Sequence, residues 1–260
     1  MRIAVATLFP GLFELYGHEG LFARGRERGL VDLEVVDIRR FAPDKHNTAD
    51  DIPYGGGAGM VMKPGPIIRA VESLNSYIGD GERIVLSPRG KLFTQVEAEE
   101  LSRRDSFTLI CGRYKGIDQR AVEILGAREV SVGDYVLGCG EIAALSIIDS
   151  VVRLIPDYLG DMDSAETDSL SGRDRLLSAP EYTRPREIMG HRVPEVLLTG
   201  NHGAIDNWKR RQSLLLTLER RPDLLEKVEL TDEERAYLEA LSFDISIENS
   251  KKSGLFGENT

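Results

Sequence analysis

The chain has 260 residues, 41% of them apolar and 29% charged, with a formal net charge of −10. That length admits one large domain or two modest ones, and that apolar fraction excludes a disordered chain. Its apolar runs are interrupted too soon for a membrane span, and its acidity argues against a surface that binds nucleic acid throughout.

The N-terminal run MRIAVATLFPGLFELY lacks a small-residue cleavage site and passes straight into patterned sequence. It is read as a first strand rather than a signal peptide. Five β-rich runs precede residue 135: Arg2–Leu8, Val31–Ile38, Arg83–Leu86, Phe107–Cys111 and Glu129–Val132. Several are almost wholly apolar, as in strands covered on both faces. Helical patterns lie between them at Gly11–Arg28, Pro66–Tyr77, Gln95–Arg104 and Ile117–Leu125. This alternation predicts an α/β domain with a mostly parallel sheet. Three polar, glycine-bearing segments follow strands directly: Ser87-Pro88-Arg89-Gly90, Cys111-Gly112-Arg113-Tyr114 and Val132-Gly133-Asp134-Tyr135. Ligands of open α/β sheets bind beyond the carboxyl ends of strands, so the three exits are expected to share one pocket.

The stretch Ser131–Pro156 organises the rest. It opens with Gly133, Gly138 and Gly140, then becomes a helical apolar run through Ile142, Leu145, Ile148, Val152 and Ile155, which Pro156 should end. Glu141 suits the helix N-terminus. Arg153, near the end of that apolar helix, calls for a defined partner, and a carboxylate from the following segment is the natural one.

Asp157–Thr183 is polar and weakly periodic, and reads as an interdomain linker carrying the acidic cluster Asp161, Asp163, Glu166 and Asp168. A strong amphipathic helix is expected at Ile205–Arg220, with Trp208, Leu215 and Leu218 on or near one face. Thr231-Asp232-Glu233-Glu234 has the spacing of a capping box and should start a last helix to about Leu241. Between Leu170 and Arg221 ten Lys and Arg face six Asp and Glu, so any polyanion should bind there.

Gly138-Cys139-Gly140-Glu141-Ile142-Ala143 matches the dinucleotide fingerprint, but it falls where the α/β pattern ends, not at its first turn. Gly55-Gly56-Gly57-Ala58-Gly59-Met60 lacks the Gly-Lys-Ser/Thr ending of a phosphate-binding loop, and its polar flanks suit a substrate loop. Cys111 and Cys139 have no C-x-x-C spacing, and the four histidines form no ligand cluster. Zinc is therefore not expected, and the thiols fit a reducing, cytoplasmic setting.

Taken in order, the Gly55–Met60 loop, Ser87–Gly90, Gly112-Arg113-Tyr114-Lys115-Gly116-Ile117-Asp118, Gly133–Leu137, Arg153–Pro156, Asp168-Ser169, Tyr182–Pro185 and Gly200-Asn201-His202 closely resemble the bacterial tRNA (guanine-37-N1)-methyltransferase family. The likeness runs from Met1 to about Leu225. It implies a SPOUT-type fold with a trefoil knot, S-adenosyl-L-methionine as cofactor, tRNA as partner and an obligate homodimer. The implied layout is a knotted cofactor-binding domain over residues 1–160, a mobile linker over 161–175, a mainly helical tRNA-binding domain over 176–245 and a frayed tail over 246–260.

Carried over residue by residue, the resemblance assigns the cofactor to Ser87, Pro88, Gly112, Tyr114, Val132, Gly133, Asp134, Tyr135, Val136, Leu137 and Gly140. Asp168, from the opposite subunit, would be the general base toward guanine N1, and Arg153 would stabilise the charge developing at O6. The family's Mg2+ requirement comes with the resemblance, although the sequence shows no dedicated metal cage. Two departures stand out: Lys115 where the family usually has Glu, and Cys139 where it usually has Gly. Arg173, Arg175, Arg184, Arg186, Lys209, Arg210 and Arg211 are candidate phosphate contacts. The rival readings are another knotted RNA methyltransferase and a non-catalytic RNA-binding protein.

Overall fold

Period-two placement of aliphatic side chains builds the centre of the protein. The computed structural model describes residues 1–160 and 167–241. The chain divides into two compact units, Met1–Met162 and Asp163–Thr260. In chain order the first runs β1 (Arg2–Thr7), α1 (Gly11–Gly17), α2 (Gly20–Glu27), β2 (Asp32–Asp37), β3 (Asp50–Asp51), β4 (Val61–Met62), α3 (Pro64–Ser73), α4 (Asn75–Ile78), β5 (Glu82–Leu92), α5 (Gln95–Ser102), β6 (Ser106–Cys111), α6 (Gln119–Ile124), β7 (Arg128–Ser131) and α7 (Gly140–Val152).

Five strands form one sheet in the order β2-β1-β6-β5-β7, every pairing parallel. Ile3 and Val5 of β1, Ile84 and Leu86 of β5, and Phe107 and Leu109 of β6 face one way. They pack against Phe13 of α1, Phe22 of α2, Leu101 of α5 and Ile147 of α7. Ala6, Val85 and Ile110 face the other way, against Ile67 of α3 and Ala121 of α6. Burial on both faces is why β6 is enclosed along its whole length. All five expected strands are present within a residue or two, except that β5 is much longer.

That exception matters for the site. Leu86 pairs with Val130 of β7, and so does Lys91, so Ser87–Gly90 loops out of a strand that then resumes. The segment is an excursion within β5 and not the strand exit expected. Gly90 permits it, since a Cβ there would lie 2.3 Å from the Val130 nitrogen.

Three expected helices are also corrected. Gly11–Arg28 is two helices, because Glu19 is extended and Gly20 takes φ +60°, which a continuous right-handed helix does not allow. Pro66–Tyr77 starts earlier, with Pro64 in the first turn, and is split at Leu74 into α3 and α4. The helix after Gly140 stops at Val152, short of Pro156. Leu154 and Ile155 donate to the carbonyls three residues back, tightening its end. Ile142, expected on its apolar face, is 46% exposed, and the buried face runs through Ala143, Ala144, Ile147, Ile148 and Val151.

The described part of the second unit holds β8 (Glu187–Ile188), β9 (His191–Arg192), α8 (His202–Arg220), α9 (Pro222–Leu225) and α10 at residues 232–241. Leu176, Leu214 and Leu238 form its core, with Leu218 packed on it and Leu215 only half-buried. Thr217 is buried as well, because its hydroxyl accepts from Leu177 N–H at 3.1 Å and donates to the Ser213 carbonyl at 2.7 Å. The capping box is formed: Glu234 N–H donates to Thr231 Oγ1 at 3.2 Å, and Thr231 N–H to Glu234 Oε2 at 2.8 Å.

Asp157–Thr183 is not a linker throughout. Tyr158 is part of the first core and Leu176 of the second. Residues 168–178 are tied by Leu170 N–H to the Leu176 carbonyl at 2.8 Å and Ser178 N–H to Ser169 Oγ at 2.9 Å. Asp161, Asp163 and Glu166 of the acidic cluster, and the tail over 246–260, lie outside the described residues.

Candidate active site

Three segments from the β6-β5-β7 half of the sheet close on a single cavity of about 280 Å³. They are the Ser87–Gly90 excursion of β5, the exit of β6 through Ile117, and the loop from Ser131 of β7 to Gly140 of α7. Of the residues expected to hold the cofactor, Ser87, Pro88, Gly112, Tyr114, Val132, Gly133, Tyr135, Val136, Leu137 and Gly140 line it. Asp134 sits between two of them without lining the cavity itself.

The segments are pressed together by a missing side chain. Gly140 N–H donates to the Gly112 carbonyl at 2.9 Å, and a Cβ on Gly140 would stand 2.7 Å from the Gly112 nitrogen. Only glycine lets α7 begin so close to β6. Tyr114 holds φ +58°, an uncommon conformation for a residue with a side chain. Its loop is anchored to the segment around β4 by Lys115 N–H to the Met60 carbonyl, Met62 N–H to the Gly116 carbonyl and Asp118 N–H to the Met62 carbonyl, each at 3.0 Å. The Gly55–Met60 loop is thereby attached to the β6 exit. Aliphatic Leu86, Ile117, Val132 and Leu137 with two tyrosines suit a flat heterocycle, and the exposed backbone between the glycines offers polar groups to orient it.

Next in sequence to Gly140 of this lining is Glu141, which the sequence placed only as a helix N-terminal carboxylate, without its burial or its partner. Glu141 is fully buried, and its Oε1 accepts from Thr7 Oγ1 at 2.6 Å. Its Oε2 stands 4.0 Å from Arg113 Nε, beyond hydrogen-bond range. The Arg113 guanidinium lies over the Phe9 ring at 3.9 Å. The signal was in the sequence: a charged residue at the head of an otherwise apolar helix. Cys111 is a fully buried core residue, and that burial, with Glu141 and Cys139 nearby, pushes its thiol well up. Cys139 lines the cavity, and its extended backbone carries a side chain without strain.

Arg153 is not part of this lining. It borders a second cavity of about 400 Å³ in the same unit, with Tyr16, Phe22, Asp149 and Tyr158. Tyr16 donates to Asp149 Oδ1 at 2.8 Å, and burial pushes the Tyr158 hydroxyl up to about 12. Asp168 belongs to the second unit, half-buried, its carbonyl accepting from Ser171 N–H at 3.1 Å. Among the described residues, no three His, Cys, Asp or Glu side chains form a group able to hold a metal ion.

The basic segment sorts by partner. Arg210 is fixed between Asp174 at 2.8 Å and Glu234 at 2.6 Å. Arg173 pairs with Glu229 at 3.0 Å and Lys209 with Glu181 at 3.2 Å. Arg211 lies over Tyr237 at 5.4 Å, and Arg175 reaches the Leu170 carbonyl at 3.5 Å. Arg184 and Arg186 are exposed and make no ion pair among the described residues.

A family model described as tRNA (Guanine-1)-methyltransferase TrmD matches residues 1–227. The chain is 47% identical over 245 residues to the tRNA (guanine-N(1)-)-methyltransferase of Dictyoglomus turgidum, covering 94% of this chain and 98% of that one. It is 48% identical over 244 residues to the protein of the same name from Symbiobacterium thermophilum, covering 92% and 98%. The counterpart from Carboxydothermus hydrogenoformans is 48% identical over 252 residues, covering 95% and 96%.

Proposed function

The chain belongs to the tRNA (Guanine-1)-methyltransferase family, and from that membership we propose that it transfers a methyl group from S-adenosyl-L-methionine to N1 of guanine-37 in tRNA. The observation that carries the reading is the convergence of three loop segments on one cavity. Glycines at its seams and an aliphatic lining fit an adenosyl group. The donor brings a sulfonium methyl already activated for transfer.

What remains for the protein is to hold guanine in line and remove the N1 proton. Asp168 of the partner subunit is the proposed general base, a role worth roughly 10²–10⁴ in rate. Arg153, outside the donor cavity, stabilises the negative charge that grows at O6. Orientation of the base against the cavity supplies much of the remainder.

The reading includes a homodimer. Tyr114, Tyr135, Val136, Leu137 and Ile142 are all exposed at or beside the cavity, and Val136 is 86% so. An apolar rim of this kind marks an interaction surface. The reading also includes a SPOUT-type trefoil knot. In support, the backbone at Gly90 runs too close to Val130, and that at Gly140 too close to Gly112, for a side chain to fit between them. The second unit, with exposed Arg184 and Arg186, is the proposed tRNA-binding domain. Among the described residues no helix is long and apolar enough to cross a membrane, and the proposed location is the cytoplasm.

The test is direct. The protein is incubated with methyl-labelled donor and unmodified tRNA carrying guanine or adenine at position 37, and the modified base is mapped. Label at N1 of guanine-37, lost with adenine there, is the expected result. Label on ribose or on ribosomal RNA, or none, overturns the reading.

A further inference from the structure

Three cationic side chains line the first cavity, and two already have their charge answered. Arg89 lies 2.9 Å from Glu129 Oε1. Arg113 lies over Phe9 with Glu141 at 4.0 Å. The third, Lys115, makes no ion pair among the described residues.

Lys115 is nevertheless held in place. Its N–H is bonded to the Met60 carbonyl at 3.0 Å. Its stem lies along Gly59, so closely that a Cβ there would meet Lys115 Cγ at 3.1 Å and Cε at 3.2 Å. Its Nζ would be 3.8 Å from a Cβ on Gly57. Absent side chains at Gly57 and Gly59 thus leave a track for an extended lysine. A stem already confined loses less freedom when its ammonium takes an anion.

Resting on the donor reading above, we propose that Lys115 is a specificity-determining contact, its ammonium pairing with the carboxylate of the donor's amino-acid portion. The cavity's other charges favour this assignment. Glu129, the acidic side chain of the lining, is already engaged by Arg89, which leaves Lys115 as the lining cation without an ion pair among the described residues. Lys115 then contributes to holding the donor by its amino-acid end, while the adenosine end depends on the glycine-seamed loops. A neutral or acidic residue at position 115 would remove or reverse that contact.

The test compares two thioethers by calorimetry. S-adenosylhomocysteine carries the amino-acid portion, and 5′-methylthioadenosine lacks it. Both are titrated into the wild-type protein, Lys115→Met, Lys115→Glu and Lys115→Arg. For an exposed, charge-assisted contact, Lys115→Met should weaken S-adenosylhomocysteine about five- to tenfold. Lys115→Glu should weaken it further and Lys115→Arg should retain most of the affinity. Affinity for 5′-methylthioadenosine should stay unchanged in all four, which also shows that the variants are folded. Equal affinity of wild type and Lys115→Met for S-adenosylhomocysteine overturns the proposal and leaves the donor reading standing. So does an equal loss for both compounds. If neither compound binds the wild-type protein, the donor reading fails and this contact with it.

Discussion

Thr7 Oγ1 donates to Glu141 Oε1 at 2.6 Å, joining two fully buried side chains that stand 134 residues apart. The bond ties the end of β1 to the first turn of α7, whose Gly140 and Ala143 line the candidate donor cavity. A buried carboxylate that loses its donor keeps its desolvation cost. Thr7→Val should therefore destabilise the protein by about 1–3 kcal/mol. The check is guanidinium unfolding, where the midpoint should fall and the slope should not change.

Gly140 makes a close backbone contact at the cavity wall. Gly140→Ala places a methyl group 2.7 Å from the Gly112 nitrogen, with backbone on both sides and no flexible side chain to yield. Overpacking of this kind costs about 1–3 kcal/mol. Because the strain falls on the cavity wall, affinity for S-adenosylhomocysteine should drop about tenfold or more, measured by calorimetry on folded protein. Unchanged affinity would show that the seam does not shape the ligand site.

Asp168→Asn keeps the side chain's shape and removes its basicity. Single-turnover methyl transfer should fall by about 10²–10⁴. S-adenosylhomocysteine should bind as in wild type, since the proposed role of Asp168 is toward the base and not toward the donor. A fully active variant would remove Asp168 from the mechanism.

The arginines of the second unit should separate into two classes. Arg184→Ala and Arg186→Ala remove exposed charges and should each lower the magnitude of the salt slope of tRNA binding by about 1, with stability unchanged. Arg210→Ala should do the reverse. It strands Asp174 and Glu234, so it should lower the unfolding midpoint more than it alters the salt slope.

Glu234 makes a pH-dependent contribution to stability. The Arg210 guanidinium and the Thr231 N–H hold its carboxyl below the ordinary range. A depressed folded pKa stabilises the native state above the unfolded value of about 4.3, and that contribution is lost as pH falls through the folded value. Stability should thus decline below about pH 4, and Glu234→Gln should flatten this part of the profile. Urea midpoints followed by helical circular dichroism across pH 3–6 provide the check.

Much of the fold was legible because its signals are local. Almost wholly apolar runs place β1, β5 and β6, a Thr-x-x-Glu spacing starts α10, and glycines mark the strand ends. The three polar segments that line the cavity could be named from their positions after apolar runs. Their grouping into one pocket followed from the place where open α/β sheets bind ligands, beyond the carboxyl ends of strands. What could not be read locally were the breaks in helices that periodicity runs together. His18-Glu19-Gly20 interrupts a pattern that stays helical on either side, and only the backbone turn at Gly20 divides it.

Composition and pattern, then, determined an α/β sheet covered on both faces, a helix-rich C-terminal segment and the set of loops able to carry a ligand. Only the tertiary structure decided that β5 leaves and rejoins its ladder around Gly90, that Glu141 meets Thr7, and that Lys115 lies along the glycine loop. The reason is distance along the chain. Hydrophobic periodicity is written within a few residues, whereas these contacts join segments tens of residues apart, and their partners exist only once the strands have paired.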